Sequence, residues 1–233
     1  MILRVRSLTR ATPSSCIVRL ELGRRRFRFR PGQSVKVGLA GQGLRKPYSI
    51  ASAPAEADAG GELELLIMTD GRGRFGPHLE GIRRGARVEV VGPVGSFVWP
   101  RQGRARHVLF VAGGAGVAPL RSMLRDALRA PGWGRLTVLY SARSARHFAF
   151  GRELRRLARQ GRIELIQTVT RDTPAGWRGR RGRIDRDLLV SAIHTPTTLC
   201  VVCGPPGFVA TVSRILGDLG VSPRRIRREG WRA

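Results

Sequence analysis

Three short groups of residues carry chemistry by type and spacing. Tyr48 and Ser49 stand together in the run Lys46-Pro47-Tyr48-Ser49-Ile50-Ala51-Ser52. An aromatic ring beside a hydroxyl can pack on a flat heteroaromatic system such as a flavin and hydrogen-bond its edge. Taken alone, the pair reads first as a core tyrosine next to a strand serine. Gly113-Gly114-Ala115-Gly116-Val117-Ala118-Pro119 follows the apolar run Val108-Leu109-Phe110-Val111-Ala112. Glycines there let backbone N–H groups approach a pyrophosphate, and Pro119 fits the first turn of a helix, where no N–H donor is needed. Cys203-Gly204-Pro205-Pro206 follows Leu199-Cys200-Val201-Val202 near the carboxyl end. The C-x-x-C spacing of Cys200 and Cys203 invites a dithiol reading, but Cys200 falls inside an apolar run, where a small core residue is expected.

The elements that must hold these groups differ between the two halves. Residues 1–99 break into short β-type runs at 3–8, 17–22, 27–29, 35–39, 48–51, 63–67 and 88–91. Gly, Pro and Asp clusters separate them, with almost no helical pattern beyond a short stretch at 75–79. That pattern predicts a small antiparallel barrel. After residue 102 the pattern changes. Apolar runs at 108–112, 136–140, 163–169 and 199–203 alternate with helical ones at 120–128, 150–157, 184–193 and 208–219. Four strand–helix units in succession predict a parallel sheet with helices on both faces. Residues 173–183 read as a long Gly/Arg loop.

Composition narrows the class. Hydrophobic content is 42%, that of a globular protein. No apolar stretch approaches the roughly 20 residues that span a bilayer, and residues 1–6 alternate like a strand rather than a leader. Three cysteines make no disulfide framework, so a reducing cytoplasm is the expected compartment. The net charge is +27, yet of 43 basic residues only Lys36 and Lys46 are lysines. Arginines scattered through every segment read as codon composition rather than a nucleic-acid surface. A positive surface still favours acidic protein partners. His78, His107, His147 and His194 are dispersed without metal-ligand spacing and are expected at the surface or in loops.

In this order and at these separations, the three groups resemble the ferredoxin–NADP reductase superfamily over nearly the whole chain. The resemblance implies an antiparallel FAD-binding β-barrel over residues 1–102, then a Rossmann-like α/β domain for the nicotinamide nucleotide over 103–233. Lys46-Pro47-Tyr48-Ser49 resembles the family's Arg-x-Tyr-Ser signature, with Lys46 in the arginine's place and Arg45 beside it. Lysine neutralises a phosphate but cannot grip it bidentately. The family's Gly-x-x-Ser/Thr turn is similar to Gly73-Arg74-Phe75-Gly76, in which Gly76 replaces the hydroxyl residue. The flavin contacts implied are Arg45, Lys46, Pro47, Tyr48, Ser49, Gly73, Phe75 and Gly76, with FMN open beside FAD. Those for the nucleotide are Gly113, Gly114, Gly116, Pro119, Cys203, Gly204 and Pro205. Ser49 is implied at flavin N5, Cys203 and Glu229 frame the nicotinamide, and Trp231 shields the isoalloxazine face.

The nicotinamide choice rests on arginines near the adenosine end. Ser141, Arg143 and Arg146 follow the second strand of the α/β half, and Thr170, Arg171 and Arg180 follow the third. Thr170-Arg171 resembles the Ser/Thr-Arg pair of NADP-dependent members. Residues 141–150 hold no acidic side chain for free ribose hydroxyls, so NADPH is expected over NADH. The expected protein is an NAD(P)H-oxidising flavoenzyme that passes hydride to the flavin and electrons to a separate acceptor. A ferredoxin, a flavodoxin or an oxygenase component would serve, since no C-x₄-C-x₂-C run supplies an internal cluster. The rival readings are an electron-transfer subunit of a larger complex and a nucleotide-binding protein that has lost its flavin.

Overall fold

The computed structural model describes residues 1–100, 105–172 and 176–230. They form two compact units. Met1–Trp99 and Arg121–Asp126 make the first, and Pro100 with the other described residues makes the second. The boundary expected at 102 falls outside the described residues.

The first unit is an antiparallel sheet of β1 (Ile2–Thr12), β2 (Ser15–Glu21), β3 (Ser34–Leu39), β4 (Lys46–Ser49), β5 (Glu62–Met68) and β6 (Arg87–Val94). The strand order is β4-β3-β6-β1-β2-β5. The two ends meet, because Ile50 bridges to Leu65 and Ala51 N–H donates to Glu64 O at 2.7 Å. Closure removes the exposed edges that an open sheet would present. Leu3 and Val5 on β1, Val18 and Leu20 on β2, Val35 and Val37 on β3, and Leu63 and Leu65 on β5 point inward and are buried. Period-two alternation thus writes the core directly into the sequence.

Two expectations are corrected. Residues 27–29 form no strand; Phe27 and Phe29 are buried without ladder pairing, their rings 6.1 Å apart. Side-chain packing explains their alternation with arginine, and backbone pairing does not. A helix also appears where almost no helical pattern was read. The helix α1 (Pro54–Gly60) begins with proline, Glu56 accepts from Ala53 N–H at 3.0 Å, and Gly61 closes it at φ 61°. The stretch at 75–79 yields only a 3₁₀ turn over Pro77–Leu79.

The rest of the chain holds β7 (His107–Gly113), α2 (Val117–Ala127, of which Arg121–Asp126 belong to the first unit), β8 (Arg135–Ser144), α3 (Gly151–Arg159), β9 (Glu164–Asp172), β10 (Arg180–Arg181), α4 (Arg186–Ala192), β11 (Leu199–Gly204), α5 (Pro206–Asp218) and β12 (Ile226–Gly230). Its sheet is parallel, in the order β10-β9-β8-β7-β11-β12. Each residue of β7 and β11 is buried, as expected of strands covered on both faces. The four predicted strand–helix units are all present. The short strand β10 lies within the expected loop, and β12 was not read at all. Among the described residues, no helix is long and apolar enough to cross a membrane.

Two histidines overturn their expected place. His78 and His107 are 2% and 1% exposed. At the amino ends of the strands, His107 Nδ1 pairs with Thr198 Oγ1 and Nε2 with Thr137 Oγ1, each at 2.9 Å. Thr137 Oγ1 also donates to Glu164 at 3.0 Å, and Glu164 meets His194 Nε2 at 2.8 Å. Burial, then the neighbouring His194, pushes the His107 pKa down to about 4. A group depressed on folding is protonated first in the unfolded chain. Stability is therefore complete above about pH 6.5 and declines as pH falls toward about 4. Urea midpoints measured across that window should drop for the wild type, and His107→Gln should show a shallower slope.

Candidate functional site

In the first unit, β4 carries Lys46, Pro47, Tyr48 and Ser49 antiparallel to β3, with Tyr48 opposite Val35 and Ser49 opposite Ser34. Lys46 and Pro47 are exposed, and Tyr48 and Ser49 are half-buried. The Tyr48 ring packs against the barrel core, and Phe75 packs against the same core. The Tyr48 hydroxyl and His78 Nε2 share a hydrogen bond of 2.6 Å. The two rings stack at 5.7 Å with 19° between their planes. Burial pushes the Tyr48 hydroxyl up to about 12; burial, then Lys46, holds the His78 imidazole below its ordinary value. Arg45 is ion-paired with Glu89 of β6.

Asp70 organises the neighbouring turn. Its Oδ1 accepts from the N–H groups of Arg72 and Arg74 at 2.9 and 2.8 Å, and its Oδ2 from Arg74 Nε at 2.7 Å. Gly73 takes φ 83°, which a side chain would resist. A cavity of about 740 Å³ opens there, lined by Asp70, Arg74, Phe75, Gly76, Pro77 and Glu80 among others.

In the second unit, the candidate residues gather at the carboxyl ends of the parallel strands. Gly113 ends β7 and is in register with Ser141 of β8. Arg143 lies two residues further along β8, and Thr170 and Arg171 lie near the end of the adjacent β9. Thr170 Oγ1 donates to Ala142 O at 3.4 Å, while Arg143 and Arg171 are exposed. Strand order reverses between β7 and β11, and the turns after both meet at that point. Open α/β sheets bind ligands at such a switch point.

The glycines of this turn have separate reasons. A Cβ on Gly116 would lie 2.2 Å from Cys203 O, so the residue is glycine because the chain crosses a carbonyl there. A Cβ on Gly113 or Gly204 would lie 2.9 or 2.7 Å from the Phe208 ring, which wedges over both. Gly114 alone takes φ 55° with open space where a side chain would project. Pro119 is buried in the first turn of α2. Cys203 is buried and in register with Ala112 on one side and Glu229 on the other. Parallel partners share a face, so Cys203 and Glu229 do come together. Burial pushes the Glu229 carboxyl up.

Comparison with known proteins decides the family. Residues 3–99 match the oxidoreductase FAD-binding domain and residues 110–214 the oxidoreductase NAD-binding domain. Ferredoxin–NADP reductase B of Sorangium cellulosum is 34% identical over 215 residues, covering 88% of this chain and 86% of that protein. The chain belongs to the ferredoxin–NADP reductase superfamily. As a member it is an NAD(P)H-dependent flavin oxidoreductase, with FAD-binding and NAD(P)-binding domains in that order. Sulfhydrogenase 1 subunit gamma of Pyrococcus furiosus is 31% identical, with 86% of this chain and 68% of the relative covered. The crystal structure of the Amycolatopsis cytochrome P450 reductase matches with a TM-score of 0.83 at 26% identity, over 99% of this chain and 69% of the other.

In the first unit a cavity lies beside Gly76, and Tyr48 and Ser49 are half-buried; in the second, Gly114 has open space where a side chain would project. Trp231 lies outside the described residues. Cys200 and Cys203 are three apart on one strand and face opposite ways, and burial pushes Cys200 up to about 12. They form no dithiol. The sequence suggested only a surface or loop place for His78, whose one local signal is its position before Leu79 in the turn after Gly76. The two central glycines make a discriminating pair. Gly116→Ala should cost about 3 kcal/mol or more through backbone displacement, and Gly114→Ala only about 1 kcal/mol for its positive φ. Thermal melts of the two variants would check the difference.

Proposed function

We propose that this protein oxidises NADPH in preference to NADH and delivers electrons from its flavin to a separate, acidic protein acceptor. The observation that carries the nucleotide choice is the cluster Ser141, Arg143, Thr170 and Arg171 at the ends of β8 and β9, with no carboxylate among residues 141–150. Guanidinium groups match a sugar phosphate by charge and by fork geometry, whereas free ribose hydroxyls call for a carboxylate. Bound FAD would supply the capacity to accept a hydride from a reduced nicotinamide and to release electrons onward.

The chain's own residues bind and orient. In this reading Ser49 hydrogen-bonds the flavin edge, and Tyr48 packs along the ring or its ribityl chain. Lys46 supplies positive charge for the pyrophosphate, because Arg45 is engaged with Glu89. Pro47, Gly73, Phe75 and Gly76 shape the rest of that pocket. On the nucleotide side, Gly113, Gly114 and Gly116 leave backbone N–H groups open to the pyrophosphate, with Pro119 setting the helix that follows. Cys203, Gly204, Pro205 and Glu229 frame the nicotinamide. Burial raises the Glu229 carboxyl above its ordinary value.

A ferredoxin, a flavodoxin or an oxygenase component fits the acceptor by chemistry, because a net charge of +27 attracts acidic surfaces. The resemblance to a sulfhydrogenase subunit favours a second reading, in which the chain works within a larger complex. Reduction of an added acceptor by the purified chain alone would decide against that reading.

Anaerobic visible spectra recorded during NADPH and NADH titration test the nucleotide choice. Flavin absorbance should bleach at a lower concentration of NADPH, and Arg171→Ala should weaken NADPH about tenfold while leaving NADH unchanged. Equal or better bleaching by NADH would remove the preference. With an acidic carrier as acceptor, kcat/KM should fall several-fold between roughly 20 and 200 mM salt. A flat salt profile would count against an acidic partner.

A further inference from the structure

The barrel spends polarity at a place where packing alone would not. His78 is 2% exposed, and its Nδ1 has no hydrogen-bond partner among the described residues. A buried nitrogen left unpaired is destabilising, and a phenyl ring of similar size would fill the space without that cost. The imidazole therefore needs a reason outside core stability. Its other nitrogen supplies one, through the 2.6 Å hydrogen bond and the parallel stack with Tyr48. Residue 76 is adapted to the same ring, since a Cβ there would lie 3.2 and 3.3 Å from Cε1 and Nδ1 of His78. The backbone at Gly76 is extended, with φ −66°, so conformation does not demand glycine. What a side chain at 76 would crowd is the imidazole. Three residues from two distant stretches of sequence are thus fitted to one another.

We propose that His78 is a positioning residue of the flavin site, which fixes the angle and hydroxyl of Tyr48 for the cofactor, with Gly76 kept small to admit the imidazole. This rests on the reading that places the flavin against Tyr48. The hydroxyl of an unanchored tyrosine rotates among partners, including water. Bonded to Nε2, it presents its remaining valence in one direction, so the ordering cost of cofactor binding is met before the cofactor arrives. The aromatic face is held by the same contact.

The test compares His78→Phe, His78→Gln, Tyr48→Phe and the double variant Tyr48→Phe/His78→Phe. The readouts are FAD affinity of the apoprotein by fluorescence quenching, the visible spectrum of the bound flavin, and the melting temperature of the apoprotein. His78→Phe should melt at or above the wild-type temperature yet bind FAD about tenfold more weakly. His78→Gln, which keeps a polar atom near Nε2, should stay within about threefold of wild type. The double variant should be no weaker than either single one, because both remove the same bond. Gly76→Ala should move affinity in the direction of His78→Phe. Wild-type affinity in His78→Phe, or losses that add in the double variant, would overturn the proposal. A His78→Phe protein that melts lower and is not rescued by glutamine would make His78 a stability residue and also overturn it. Equal FAD affinity in the wild type, Tyr48→Phe and every His78 variant would instead remove the placement of the flavin at Tyr48.

Discussion

The second domain depends on one close approach. At Gly116 the chain crosses the carbonyl of Cys203 so tightly that a Cβ would stand 2.2 Å from the oxygen. That crossing ties the turn after β7 to the end of β11, the two strands between which the order of the sheet reverses. The Phe208 ring, seated over Gly113 and Gly204, holds the same junction from the start of α5. Two of the glycines that read as a nucleotide signature are therefore required by packing, whereas Gly114 has open space where a side chain would project.

The barrel meets its own constraint by closing. The Ile50–Leu65 bridge lies one residue beyond β4, so the strand that carries Tyr48 and Ser49 is also the strand at which the sheet joins up. Tyr48 and Ser49 are held by the ladder to β3 on one side, and the chain is tied to β5 immediately after them, at Ile50 and Ala51. Sites built on paired strands keep their geometry better than sites on loops. The turn at 70–76 lacks that support and is instead organised by the three hydrogen bonds to Asp70.

Much of this was legible in the sequence, for identifiable reasons. The runs at 108–112 and 199–203 announce buried strands because both faces must be apolar, and they proved buried throughout. Strands β1 and β5 show their inward residues by alternation. The missed elements lack such a signal. The helix α1 buries only Ala57, so its evidence lay in Pro54, Glu56 and Gly61 rather than in any apolar stripe. The edge strand β12, Ile-Arg-Arg-Glu-Gly, reads as charged coil because it pairs on one side only. The stretch at 27–29 misled in the opposite direction, since burying two phenylalanines needs no strand partner. His78 and His107 were misplaced because a histidine's burial depends on hydroxyl partners brought from 30 to 91 residues away.

The histidine network at the foot of the second sheet bears on how kinetics of this reductase are interpreted. His107 opens β7 and Gly113 closes it, so the proton-sensitive cluster and the nucleotide end stand about 20 Å apart along one strand. Acid acts on the scaffold before any catalytic group has to be invoked. Where that loss of stability leaves part of the protein unfolded, a declining acid limb in a rate profile would report a smaller folded population as well as the reaction. Only rates normalised to folded protein would carry the ionisations of the reaction itself.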